Sequence, residues 1–169
     1  MSSQIAFITG ATSGFGAACA RRFAAEGWRL VLCGRRQERL DELRAELAAT
    51  TPVYAFALDV RDEAAVNAAV AALPAEFTEV ELLLNNAGLA LGLEPAQRCA
   101  MQDWQDMVDT NIKGLLFCTR AILPGMVERN RGHVINVGSV AGTYPYPGGN
   151  TYGATKAFVK QFSLNLRAD

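Results

Sequence analysis

Ile5-Ala6-Phe7-Ile8-Thr9-Gly10-Ala11-Thr12-Ser13-Gly14-Phe15-Gly16 decides the fold of this chain. The four leading apolar residues carry no polar alternation, the pattern of a strand buried on both faces. Gly14 to Glu26 reads as a helix, with Phe15, Ala18, Cys19 and Phe23 at helical spacing and Gly27 ending it. Between strand and helix lies a glycine loop in which Thr12, Ser13 and Phe15 accompany the glycines. Gly10 permits the tight turn. Gly14 and Gly16 let a ligand approach the backbone, where free N–H groups and the positive end of the helix dipole favour a pyrophosphate. A glycine loop that follows a strand and opens a helix is the setting a dinucleotide site requires. The spacing Gly-x-x-x-Gly-x-Gly lacks the Gly-Lys-Ser/Thr ending of a nucleotide-hydrolysing loop.

The same alternation continues along the chain. Leu30-Val31-Leu32-Cys33 reads as a second strand, Gln37 to Ala49 as a second helix and, after Pro52, Val53 to Leu58 as a third strand. Asp62 can cap a helix reaching Leu73. Leu82-Leu83-Leu84 reads as a fourth strand ending at Asn85. A long helix spans Asp103 to Arg129 and is expected to be bent or interrupted near Pro124 and Gly125. Val134-Ile135-Asn136-Val137 reads as a fifth strand, and a last helix starts near Tyr152. Repeated strand–helix units with right-handed crossovers predict an α/β, Rossmann-like, doubly wound parallel sheet with helices on both faces. No linker or repeat interrupts residues 1–169, so one domain is the expectation.

Composition limits the function. Half of the 169 residues are hydrophobic and the net charge is −1, which gives no electrostatic attraction to nucleic acid or to an anionic membrane. No apolar run approaches the ~20 residues of a membrane span. Met1-Ser2-Ser3-Gln4 has no basic run, so no signal peptide is expected. Cys19, Cys33, Cys99 and Cys118 are scattered without Cys-x-x-Cys spacing, and His133 is the sole histidine. That disfavours a metal site and suits reduced thiols in a cytoplasmic protein. A Ser-His-Asp hydrolase would depend on His133, and the chain has no Gly-x-Ser-x-Gly elbow.

Two further positions carry chemistry. The second strand ends in Cys33-Gly34-Arg35-Arg36, where a carboxylate would bind the ribose 2′-hydroxyl of NAD. Guanidinium suits a 2′-phosphate, which favours NADP over NAD, with Arg35 the better placed of the two arginines. Tyr152 and Lys156 stand four apart and share one face of a helix. A nearby ammonium stabilises a phenolate and brings the phenol toward a useful pKa.

The glycine loop, Asn85-Asn86-Ala87-Gly88 after the fourth strand, Ser139 after the fifth, and Tyr152 with Lys156 together resemble the short-chain dehydrogenase/reductase family, over essentially the whole chain. Within it, Asn85 to Gly92, Leu123 to Asn130 and Gly148 to Phe158 look like the bacterial NADP-dependent 3-hydroxy acid dehydrogenases, a branch that includes serine 3-dehydrogenase. The resemblance implies roles for matching positions. Asp59, in Leu58-Asp59-Val60, would bond the adenine amino group, with helix capping as its alternative use. Asn85, Ala87 and Gly88 would line the adenosine and ribose part of a cleft. Asn111, Ser139, Tyr152 and Lys156 would form the catalytic tetrad. Tyr152 would take the hydroxyl proton while hydride leaves the same carbon, and Ser139 would fix the reacting oxygen. Lys156 would lower the Tyr152 pKa and bind the nicotinamide ribose, and Asn111 would hold a water linking Lys156 to solvent.

A dinucleotide-binding scaffold without turnover is the alternative, and it has no need of Tyr152 and Lys156. Members of the family are longer, so a C-terminally truncated enzyme is expected, with the fifth strand left as an unpaired edge. Family members assemble as tetramers or dimers. Met101, Trp104, Met107, Val108, Leu115, Leu116 and Phe117 could supply either interface or core. Tyr144 to Asn150 should line one wall of the substrate site.

Overall fold

A computed structural model describes residues 4–169; Met1 to Ser3 lie outside the described residues. Five strands form one parallel sheet: β1 (Ile5–Thr9), β2 (Arg29–Gly34), β3 (Val53–Ala57), β4 (Leu82–Asn85) and β5 (His133–Asn136). Their order is β3-β2-β1-β4-β5. Neighbours align as Ile5 with Arg29, Leu30 with Val53, Ala6 with Leu82 and Leu82 with His133. The helices are α1 (Gly14–Ala25), α2 (Gln37–Leu47), α3 (Glu63–Ala71), α4 (Met101–Val108), α5 (Leu115–Glu128) and α6 (Asn150–Ala168). No helix among the described residues is long and apolar enough to cross a membrane.

Alternation along the strands divides the core between the two faces. Ala6, Ile8, Leu30, Leu32, Leu82 and Leu84 pack with Ala17, Ala20 and Ala24 of α1 and Leu40, Leu43 and Leu47 of α2. Ile5, Phe7, Val31, Cys33 and Leu83 face the other way, against Val66 of α3 and Cys118, Ile122 and Met126 of α5. Both faces are therefore apolar in the middle strands, which is why they read as unbroken hydrophobic runs. The buried face of α1 is made of small alanines, and Phe15 and Ala18, expected inside, are exposed. Close approach of helix to sheet excludes a phenyl ring there, and Phe15 turns outward at the mouth of the cleft.

The expected cap at Asp62 is present: its Oδ1 accepts from the Ala65 N–H at 3.0 Å. Gly27 takes the left-handed φ of 80° that stops α1. The long helix is not broken near Pro124, which lies within α5. The irregularity falls earlier, where Asp109–Gly114 forms a π-helical segment between α4 and α5. Such a segment inserts an extra residue into a helix and often marks a functional site. Here it packs Gly114 onto Val60, where a Cβ would meet Val60 Cγ2 at 2.6 Å.

Candidate active site

Order reverses between β1 and β4, and a cleft of about 980 Å³ opens at their C-terminal ends. Gly10, Thr12, Ser13 and Gly14 form its floor, with exposed Phe15 at the mouth, and Arg35, Arg36, Asp59 and Val60 one side. Ala87 and Gly88 lie in the middle, with Ser139, Tyr152 and Lys156 opposite. The seventeen residues expected from sequence are thus sorted into two groups: those just named line the cleft, whereas Gly16, Asn85 and Asn111 stand behind it.

The three glycines of the loop do different work. Gly14 has φ 55° and open space beyond its Cα, so the loop there can receive a ligand against its backbone. A Cβ on Gly16 would lie 2.4 Å from the Gly10 carbonyl oxygen and 2.5 Å from Asn86 Nδ2. Gly16 therefore allows the loop to close on helix α1 rather than admitting a ligand. Asn86, which the sequence reading passed over, ties this arrangement together. Its Nδ2 donates to the carbonyls of Thr9 and Gly10, both at 3.0 Å. Thr9 Oγ1 in turn accepts from the N–H groups of Asn86 and Ala87 at 3.0 and 2.9 Å.

Asn85, expected in the cleft, is only 5% exposed and turns into the sheet. Its Nδ2 donates to Thr119 Oγ1 and Asn136 Oδ1, both at 2.9 Å, and Asn136 passes the chain on to Ser163 Oγ of α6. Nothing in a bare sequence distinguishes the first asparagine of Asn85-Asn86 from the second; strand alternation does, by sending successive side chains to opposite faces.

Arg35 and Arg36 both border the loop and are exposed. Arg36 Nη2 donates to Thr12 Oγ1 at 2.7 Å and Ser13 Oγ at 3.2 Å. Arg35 has no hydrogen-bond or ion-pair partner among the described residues, leaving its guanidinium available to an anion. Open backbone at Gly14 and two guanidinium groups together fit a phosphate-bearing dinucleotide.

Asp59 is not a helix cap; it forms a forked ion pair with Arg61, whose Nε and Nη2 reach its carboxylate at 2.7 to 3.0 Å. Hydrogen bonding from Arg61 holds the Asp59 carboxyl below the usual carboxylate range.

On the opposite side, α6 presents Tyr152 and Lys156. Lys156 is 7% exposed, and its Nζ donates to the Val137 carbonyl at 2.7 Å and lies 5.9 Å from the centre of the Tyr152 ring. Burial lowers the Lys156 pKa from the usual lysine value. Ser139 Oγ accepts from the Ala141 N–H at 3.2 Å at the start of a short 3₁₀ turn, Val140–Gly142. Gly88 separates the two sides; a Cβ there would sit 3.3 Å from Asn111 Oδ1 and 3.6 Å from Lys156 Nζ.

Asn111 lies in the π-helical segment and is 2% exposed. Its Nδ2 donates to the Leu89 carbonyl at 2.9 Å and to Thr155 Oγ1 at 3.0 Å, while Oδ1 accepts from the Leu89 N–H at 2.9 Å. Both side-chain donors are thus spent on protein. Asn111 thereby pins the cleft wall at Leu89 to α6 beside Lys156. The π-helical segment turns this asparagine inward, against its usual place on a solvated helix face.

Residues 4–169 match the family model described as short chain dehydrogenase. The chain belongs to the short-chain dehydrogenase family. Within that family it is 58% identical over 166 residues to the NADP-dependent 3-hydroxy acid dehydrogenase of Escherichia coli strain K12, covering 98% of this chain and 66% of that protein. It is 60% identical over 164 residues to sulfoacetaldehyde reductase of Chromohalobacter salexigens, covering 96% of this chain and 65% of that protein. The chain thus spans just under two thirds of the length of these relatives. The structure of the closed form of serine dehydrogenase complexed with NADP⁺ superposes with a TM-score of 0.94 at 57% identity, covering 98% of this chain and 66% of that one.

Proposed function

We propose that this short-chain dehydrogenase chain supplies the cofactor-binding and acid/base machinery of an NADP-dependent oxidoreductase. Its reaction is the reversible oxidation of the hydroxyl of 3-hydroxy acids such as serine, allo-threonine and 3-hydroxybutyrate-like compounds. The observation that carries this reading is one cleft lined on one side by the open glycine loop with Arg35 and Arg36, and on the other by Ser139, Tyr152 and Lys156. The names of the relatives support the cofactor and the substrate class.

NADP held by the glycine loop and Arg35 would supply the hydride chemistry in either direction. The chain's own residues do the rest. Tyr152, as phenolate, takes the proton of the substrate hydroxyl, and the Lys156 ammonium beside it stabilises that anion. Ser139 bonds the reacting oxygen and fixes it. Lys156 keeps donors beyond the one given to Val137, and these would bond the nicotinamide ribose. Oxidation of a 3-hydroxy acid leaves a 3-keto acid, which loses carbon dioxide spontaneously; serine would end as an amino-aldehyde.

The identity to sulfoacetaldehyde reductase favours a second reading, reduction of a short anionic aldehyde at the same site. A homo-oligomer, tetramer or dimer, in the cytoplasm completes the proposal. Met107 and Leu115 are core, whereas Met101, Val127 and Leu164 on α4, α5 and α6 are exposed and could meet a second copy.

The test is Tyr152→Phe, which keeps the ring and removes the acid/base oxygen. Turnover with NADP should fall about a thousandfold while NADP affinity stays within about twofold. Retained turnover removes Tyr152 from its role. A panel of serine, allo-threonine, 3-hydroxybutyrate and sulfoacetaldehyde separates the two substrate readings.

A further inference from the structure

Arg61 is unassigned by anything in the reaction, yet it is among the most heavily engaged side chains near the cleft. Its Nε and Nη2 grip both oxygens of Asp59, and its backbone N–H donates to Asp59 Oδ1 at 3.1 Å. Its remaining Nη1 donates to Asp106 Oδ1 of α4 at 3.1 Å. The group is one third exposed, with side-chain accessibilities of 33%, 34% and 29% for Arg61, Asp59 and Asp106. It is therefore neither a fully solvated surface pair nor an isolated core charge.

What gives this pairing a consequence is its neighbour. β2 and β3 run parallel, and the Leu58 N–H donates to the Gly34 carbonyl at 2.8 Å. Arg35 and Asp59 directly follow this pair beyond the ends of the two strands, and both line the cleft. Arg35 lies close enough to stabilise the Asp59 carboxylate. Two guanidinium groups thus compete for one carboxylate. Arg61 wins it with forked geometry, the strongest arrangement such a pair offers. Arg35 is left without a hydrogen-bond or ion-pair partner among the described residues.

We propose that Arg61 is a positioning residue for NADP selectivity: by engaging and neutralising Asp59 it keeps Arg35 free, and the adjoining cleft positive, for the 2′-phosphate. Arg61 need not touch the cofactor. An unpaired Asp59 would draw Arg35 across the strand ends and repel a phosphate, restoring at this corner the carboxylate that NAD-type sites carry. Asp106 anchors Arg61 from the far side, so that the fork is held to α4 as well as to the segment after β3.

This rests on the NADP reading above and deepens it. The probes are adenosine 2′,5′-bisphosphate and AMP, which differ only in the 2′-phosphate and need no catalysis; their dissociation constants are measured by calorimetry on the purified protein. Arg61→Ala should lower the preference for the bisphosphate about fivefold, the order expected of one unit charge across a partly solvated cleft. Arg61→Lys should recover much of it, and the double variant Arg61→Ala/Asp59→Asn should restore it, since the unpaired carboxylate is then gone. Asp59→Asn alone should raise the preference, an arm that stands even if Arg61→Ala does not fold. An unchanged ratio in Arg61→Ala, or in Asp59→Asn where only that variant folds, overturns the proposal, as does equal weakening of both probes. If the unaltered protein shows no preference for the bisphosphate, it is the NADP reading that fails.

Discussion

The two sides of the cleft are built differently. On the side of β1 and β2 every strand residue from Ile5 to Thr9 and from Leu30 to Gly34 is buried, with helices on both faces. On the other side β5 is an edge strand: His133 and Ile135 are exposed, Val134 and Asn136 half-buried. The loop that would hold the cofactor thus grows from a closed core, whereas Ser139, Tyr152 and Lys156 grow from an edge. What secures the second side is a set of polar ties: Asn85 to Asn136 to Ser163, Asn111 to Leu89 and Thr155, and Lys156 to Val137. Packing fixes one half of the site, and hydrogen bonds fix much of the other.

The largest effect should come from crowding the packed side. Gly16→Ala places a methyl 2.4 Å from the Gly10 carbonyl oxygen. The loop must move off α1, at about 3 kcal/mol of stability, with cofactor affinity falling too. Gly14→Ala meets no neighbour within 4 Å and carries only the strain of φ 55°, about 1 kcal/mol. Urea unfolding midpoints of the two variants check the ranking. Equal losses would mean that Gly16 is not a packing glycine.

A smaller and more local effect is expected on the hydrogen-bonded side. Asn136→Ala removes the bonds to Asn85 and Ser163, at about 2 kcal/mol. Because these bonds tie β5 to β4 and α6, that loss should appear as local opening. Hydrogen exchange in β5 and α6 should quicken while β1 and β2 keep their protection. A uniform loss of protection would show that the two sides unfold as one and would erase the distinction.

The same contrast governs what could be read from the sequence. The packed side was legible because its constraints are local: a buried strand, a glycine loop and a helix in direct succession, then Arg35 and Arg36 at the end of the next strand. Tyr152 and Lys156 were legible from helical spacing, and Ser139 through resemblance to a family. Ties between distant segments were not. That Asn86 rather than Asn85 faces the loop follows from strand register, and that Asn111 faces inward follows from the π-helical segment at Asp109–Gly114, which no spacing rule announces. The fork of Arg61 on Asp59 is two residues long in sequence, yet its meaning depends on Arg35 following the end of the adjacent strand. Phe15 lines the mouth of the cleft, whereas helical periodicity groups it with the apolar face of α1 without saying how closely the sheet approaches that face.

The smallest expected effect lets one titration compare the two sides, since their charged groups shift in ways that act at opposite ends of the pH range. Asp59, beside β2 and β3, has its pKa lowered in the folded protein, chiefly by hydrogen bonding from Arg61. Its contribution is present above the unfolded value of about 3.9 and is lost as pH falls through the folded value. Lys156, on α6, also has its pKa lowered, but by burial of a cation. The unfolded chain then binds the extra proton, so the cost of burying Lys156 is constant below its folded pKa. It is relieved as pH rises from there toward the unfolded value of about 10.4. Stability measured against pH should therefore lose part of its acid limb in Asp59→Asn and part of its alkaline rise in Lys156→Met, each variant leaving the other limb in place. A Lys156→Met curve parallel to that of the unaltered protein up to alkaline pH would mean that the ammonium is not desolvated at the wall where Tyr152 stands, and would remove the electrostatic basis for its action on the phenol.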